Sequence, residues 1–264
     1  MRVWALPLAL LALVACVTQS VAHRHAATAP PTVPMRAAAV DPAQLARRLA
    51  AIQPGWPRSR RFDCGRVKCV ALTFDDGPGE HTGRLLDLLK QRDVRATFFV
   101  IGQMVAADKG GHTVRRIVQE GHEIGNHSWS HPALAGLSDE GVHRELQHTQ
   151  DIVRRLTGVR MRVMRPPYGS TDAHVARETR REGLAQILWN VDTLDWRDRV
   201  PAKVIRRAAT ATPGSIVLMH DIHPTTVQAV PRVLDALGGK GFTFVTISEL
   251  YGRPPVPGRM YTER

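Results

Sequence analysis

From residue 67 onward, short runs rich in β-branched and aromatic residues alternate with stretches whose apolar residues recur every three or four positions. Strand-length and helix-length patterns in alternation restrict a chain to repeated βα units, and so to a largely parallel sheet covered by helices. Seven strands are expected, over residues 67–74, 96–101, 123–125, 162–164, 185–191, 215–219 and 242–247. Helices are expected near 81–92, 114–120, 138–156, 172–182, 201–211 and 226–237. The longest has Ser138 as its cap, Asp139 and Glu140 in its first turn and Gly158 beyond its end. Pattern alone leaves open whether these units close into a barrel or form a doubly wound sheet.

In either architecture the chemistry belongs in the crevice beyond the carboxyl ends of the strands, and polar residues gather there. Asp75 and Asp76 follow the first strand, and His127 and His131 the third. Arg165 and Tyr168 follow the fourth, Asp192, Asp195 and Trp196 the fifth, and His220 and Asp221 the sixth. Adjacent Asp residues inside a regular strand would face opposite sides. They converge only where the strand is ending, and Gly77-Pro78 ends it. One Asp-Asp-Gly turn, or one His at a strand end, has an ordinary explanation as a solvated turn or a satisfied structural group. Five strand ends in order, each delivering an acid, a His or an Arg, do not. Asp221 and His223 are read as part of the loop rim.

The 264 residues accommodate one α/β catalytic domain, expected over 61–252, with a leader before it and a tail over 253–264. A net charge of +12 predicts attraction to anionic surfaces. The basic residues are scattered through helices, and no zinc-finger, phosphate-loop or RNA-recognition pattern occurs, so nucleic acid is not the expected partner. Phospholipid head groups or an anionic cell wall fit better. Met1-Arg2 followed by an apolar run over 3–14 reads as a secretory signal, too short to span a membrane. Leu13-Val14-Ala15-Cys16 looks like a bacterial lipobox, which makes Cys16 the lipid-bearing membrane anchor. Cleavage after Ser20-Val21-Ala22 is the competing reading, and both export the chain, to the outer face of the plasma membrane or beyond. After the 1–22 leader, residues 23–60 form a tether rich in Pro and Ala, with a short helix capped by Asp41 and Pro42. In an exported protein Cys64 and Cys69 are expected to form a disulfide. A metal-binding pair would need a second Cys pair that the chain lacks.

At this point the chain resembles the polysaccharide deacetylases with the NodB homology domain, carbohydrate esterase family four. The resemblance covers roughly residues 67–252 and rests on five motifs in order. They stand as Thr73-Phe74-Asp75-Asp76-Gly77, His127-Ser128-Trp129-Ser130-His131, Arg165-Pro166-Pro167-Tyr168-Gly169, Asp192-Thr193-Leu194-Asp195-Trp196 and Leu218-Met219-His220. It implies a distorted (β/α)7 barrel, a divalent metal, and hydrolysis of acetyl groups on polysaccharide. Polymers containing N-acetylglucosamine are the expected substrates, cell-wall peptidoglycan before chitin-type chains, with O-acetyl esters such as acetylxylan as the alternative activity. A barrel that binds carbohydrate without turnover is disfavoured by the intact set of acids and histidines.

Amide hydrolysis needs an activated water, a sink for oxyanion charge and a proton for the departing nitrogen. Asp76, His127 and His131 supply the N,N,O shell of a catalytic zinc site, which cobalt or nickel also fits. Pro132 disfavours helical geometry at His131, so a looped segment is expected round the ion. Asp75 is left as general base, and the resemblance assigns Arg165 to keep it ionised. His220 is the matching acid, with Asp195 raising its pKa. The resemblance further implies the Tyr168 N–H as oxyanion donor, and Leu218 and Trp196 as walls of an acetyl-methyl pocket.

Overall fold

Strand β1 (Cys69–Asp75) is buried along its whole length, and its alternating side chains separate two cores. Val70, Leu72 and Phe74 point outward into the layer shared with the helices. Cys69 and Ala71 point inward, in a smaller cluster with Phe99, Val163, Ile187, Ile216 and Val245. Asp75 continues the inward series, so the inner face is apolar at its base and acidic at its carboxyl end. In the computed structural model, which describes residues 60–264, this strand is the centre of a curled parallel sheet. The expected signal, the Cys16 anchor, most of the tether and the helix at Asp41 lie outside the described residues.

The order of elements is β1, α1 (Thr82–Gln91), β2 (Thr97–Val100), α2 (Gly102–Ala107), α3 (His112–Gln119) and β3 (Glu123–Asn126). Then come α4 (Asp139–Thr157), β4 (Val163–Met164), α5 (Ala173–Arg181), β5 (Ala185–Ile187), β6 (Val191–Asp192) and α6 (Asp195–Asp198). The last are α7 (Pro201–Ala208), β7 (Ile216–His220), α8 (Pro224–Gly238), β8 (Thr243–Val245), α9 (Ile247–Tyr251) and β9 (Met260–Tyr261). The strands lie in the order β6-β7-β1-β2-β3-β4-β5-β9, with every ladder parallel. On β1, Ala71 pairs with both Ile216 and Val245, and Thr73 with both Leu218 and Thr97. β7 therefore takes one edge, while β8 and β2 share the other in succession. The result is the distorted (β/α)7 barrel expected, with its carboxyl ends on one rim.

The helix signals act as expected. The Ser138 hydroxyl accepts from the Gly141 N–H, and Gly158 closes α4 in the left-handed conformation at φ 76°. Asp172 accepts from the N–H groups of His174 and Val175 to start α5.

Two expectations about the fold need correction. The fifth strand is two: β5 pairs with β4, and β6 crosses to β7. At the break, the carbonyls of Ile187, the last residue of β5, and of Leu188 just beyond it accept from the Arg165 guanidinium. The segment expected as a tail carries β9, which pairs with β5, and Glu263 bridges Ser215 antiparallel. That segment ties the β5 side of the barrel to the approach to β7. Helices α2 and α9 were not foreseen, because neither spans two full turns of apolar period. Cys64 and Cys69 are joined by a disulfide at the foot of β1.

Candidate active site

Asp75 ends β1 facing inward, and Asp76 adopts φ 72°, a left-handed conformation that brings the second carboxylate to the same side. Asp75 Oδ1 accepts from Arg165 Nη1 at 2.8 Å. Arg165 is fully buried, with Phe99 4.3 Å and Trp189 5.5 Å from its guanidinium carbon. It also donates to Thr73 Oγ1 at 2.7 Å and to the carbonyls of Ile187 and Leu188, each at 3.0 Å. Burial lowers the Arg165 pKa, and the Asp75 charge and hydrogen bond oppose that shift. A buried pair so fully bonded contributes chiefly geometry: Asp75 Oδ1 is fixed, and Oδ2 remains directed at His127.

His127 and His131 sit on the loop after β3. Ser128 and His131 are left-handed at φ 66° and 65°, so the segment is not a helical turn, as Pro132 predicted. Asn126 Oδ1 accepts from the Ser128 N–H, Ser128 Oγ from the His131 N–H, and Glu145 on α4 from the N–H groups of Trp129 and Ser130. His127 Nδ1 lies 2.7 Å from the Arg165 carbonyl oxygen, which only accepts, so Nδ1 carries the proton. His127 Nε2 then faces Asp76 Oδ1 at 3.4 Å and Asp75 Oδ2 at 3.7 Å. His131 Nε2 faces the same Asp76 oxygen at 3.3 Å, and its Nδ1 lies 3.1 Å from the Tyr168 hydroxyl.

Asp76, His127 and His131 thus offer three ligand atoms within 4.8 Å of one another. Asp76 Oδ1 is buried and has no hydrogen-bond partner. Two ring nitrogens and a bare carboxylate oxygen turned on one point fit a cation, and the hydrogen bonds behind the rings fix their direction. Burial works to raise the Asp76 pKa, but His127, His220 and His131 together hold it down at about 2. Burial and the neighbouring His127 lower that of His131.

The opposite wall comes from β7 and α6. Asp195 is fully buried; Oδ1 pairs with His220 Nδ1 at 2.8 Å, while Oδ2 accepts from the His220 N–H and from Thr226 Oγ1, each at 2.7 Å. Burial alone would lower the His220 pKa; the Asp195 bond and charge, with Asp75 and Asp76 beyond, outweigh it and raise the value to about 9. Between the walls lies a cavity of about 340 Å³, lined by the two acids, the three histidines, Leu218, Trp196, Tyr168, Pro166, Asp192 and Trp189. Leu218 is buried and Trp196 half exposed. Tyr168 is left-handed at φ 59°, and its N–H takes no part in the hydrogen bonds of the 166–170 turn.

The structure therefore brings together every site residue expected from the sequence among those described, apart from the Cys64–Cys69 bridge at the barrel's foot. Trp189 was missed, although an aromatic residue just after a strand was a visible signal. Thr73, Thr226 and Glu145 were missed because each acts through a residue far away in sequence. Asp221 is corrected: it is fully buried rather than on the rim, and burial, with Asp76 and Asp75 nearby, raises its pKa to about 7.

Fold and site define a class, a parallel barrel whose carboxyl rim holds a two-histidine, one-carboxylate cluster between an Asp–Arg pair and a His–Asp pair. The polysaccharide deacetylase family model matches residues 63–187. A chitin deacetylase of Colletotrichum lindemuthianum is 38% identical over 205 residues, which cover 73% of this chain and 83% of that one. A family 4 carbohydrate esterase from Streptomyces lividans, solved with acetate, superposes with a TM-score of 0.67 at 35% identity, covering 72% of this chain and 98% of that one. A peptidoglycan-N-acetylglucosamine deacetylase of Listeria monocytogenes is 45% identical over 199 residues, 75% of this chain. The match spans only 42% of the Listeria protein's length. The chain belongs to the polysaccharide deacetylase family.

Proposed function

We propose that this protein is a metal-dependent hydrolase that removes N-acetyl groups from polysaccharide containing N-acetylglucosamine, with cell-wall peptidoglycan as substrate. The observation that carries the reading is the bare, buried Asp76 Oδ1 facing two histidine nitrogens, with Asp75 and His220 on the same cavity. The Listeria relative's named activity supports the choice of sugar. An outer-surface location follows from that substrate and from the signal and lipobox pattern, with Cys16 as the anchor. Among the described residues no helix is long and apolar enough to cross a membrane.

A divalent ion on Asp76, His127 and His131, zinc in this reading, would supply Lewis-acid charge to the water and the acetyl oxygen. Asp75 takes a proton from the attacking water on Oδ2, the oxygen that Arg165 leaves free. The Tyr168 N–H receives the acetyl oxygen as charge builds on it. His220 Nδ1 is held by Asp195, so Nε2 delivers its proton to the amide nitrogen as the carbon–nitrogen bond breaks. Acetate and a free amine result. Leu218, Trp196 and Trp189 wall the space for the methyl group.

Acetate release from purified peptidoglycan, chitooligosaccharides and acetylxylan, each with and without chelator, tests the reading. Chelator-sensitive release, fastest from peptidoglycan, is expected. Release only from acetylxylan makes the enzyme an esterase, and release unaffected by chelator removes the metal from the reading.

A further inference from the structure

The turn that carries both acids has no room for a side chain at its third residue. A Cβ on Gly77 would fall 2.5 Å from Asp221 Oδ2 and 2.6 Å from Oδ1. Asp221 occupies that space from the loop directly after His220. Its Oδ2 accepts from Thr82 Oγ1 at 2.5 Å, and the same Thr82 oxygen accepts from the Gly79 N–H at 2.8 Å. Ile222 packs on Gly79 from the same loop. On the other side of the turn, the Gly77 carbonyl accepts from the Ile101 N–H.

Asp221 Oδ1, however, is buried with no partner. A buried polar atom left bare lowers stability, so a group of similar size without that atom would serve stability better. A carboxyl kept there at such a cost points to a task other than stability.

We infer that Asp221 is a positioning residue for the metal-holding turn: its buried side chain, directly and through Thr82, fixes the backbone that aims Asp76. Because Asp221 adjoins His220, the same contact also sets the separation between the acid-bearing strand end and the base-bearing one. The inference rests on the reading of Asp76, His127 and His131 as a metal site.

The test is zinc affinity of the full chain, measured by competition with a chromophoric chelator, alongside thermal stability. Asp221→Ala should weaken zinc binding about 10- to 100-fold, the range for groups that orient metal ligands, while the barrel still melts cooperatively at a somewhat lower temperature, because the substitution leaves a void and takes the acceptor from the Thr82 hydroxyl. Asp221→Asn keeps the volume and the acceptor for Thr82, and should retain the affinity. Gly77→Ala should lower both affinity and stability, and combining it with Asp221→Ala should restore part of each, because the clash is gone. Wild-type affinity in Asp221→Ala, or additive losses in the double variant, would overturn the inference. A wild-type chain that binds no zinc would overturn the metal reading instead, and the stability cycle alone would then decide the Gly77–Asp221 contact.

Discussion

Two histidines face each other across one cavity, each with Nδ1 engaged behind it, and the difference lies in the partner. His127 gives Nδ1–H to a backbone carbonyl, whereas His220 pairs Nδ1 with the buried carboxylate of Asp195. A carbonyl fixes the ring's direction without adding a full charge, so the front nitrogen is presented as an electron pair. A carboxylate favours the imidazolium, so the front nitrogen is presented with a proton. In the proposed reading, one residue type thus serves as a ligand on one wall and as an acid on the other.

The strongest test of this division uses Asp75 and His220, the proposed base and acid. Asp75→Asn should lose about 10²–10⁴-fold in turnover while zinc content stays near stoichiometric by elemental analysis. His220→Ala should likewise retain metal, and should lose far more with amide substrates than with activated esters, whose leaving groups need no proton. Loss of metal from either variant would break the comparison.

Asp195→Asn sharpens it. In the wild type, turnover should fall as pH rises through about 9, where His220 gives up its proton. Without the carboxylate that limb should move down toward 6.5, the ordinary His value, which costs about tenfold or more at pH 8. The sign carries over to stability: with the folded pKa raised, the ion pair's contribution is complete below about 6.5 and is lost as pH climbs through about 9. An unmoved limb in the pH profile would reassign the acid.

Tyr168→Phe removes the hydroxyl behind His131, and should weaken zinc binding by about tenfold with turnover of the loaded enzyme nearly unchanged. Smallest at the site is the effect of opening the disulfide at the barrel's foot. Cys64→Ser with Cys69→Ser should lower unfolding free energy by about 2 kcal/mol and leave the pH profile where it was, as a denaturant titration and a rate profile would show.

Much of this division was legible in the chain. A carboxylate, histidine or arginine at successive strand ends is a local signal, and the Gly77-Pro78 breaker marked where the two adjacent acids could converge. The Asp195–His220 pairing joins two such signals. What was not legible depends on contacts without a sequence signature. The acceptor behind His127 is a backbone carbonyl, which any residue supplies. Asp221 has the composition of a solvated loop residue, and its burial follows from packing on Gly77, which lies far away in sequence. Strand β9 is two residues among prolines and glycines, too short to show a period. The break between β5 and β6 falls where the Arg165 guanidinium takes two carbonyls, a long-range contact that an unbroken β-prone run does not announce.

Asp76, Ser128, His131, Tyr168 and Leu194 all bear side chains yet hold the backbone that glycine tolerates best. Each such residue stores on the order of 1–3 kcal/mol, and together they approach the net stability of an ordinary domain, about 5–15 kcal/mol. The rim is therefore wound against the barrel that supports it. On heating, these loops should relax before the sheet melts, so inactivation should precede unfolding by several degrees. Lineages adapting to warmth would then meet their first barrier at the mouth of the barrel, where relief of strain and retention of chemistry pull in opposite directions.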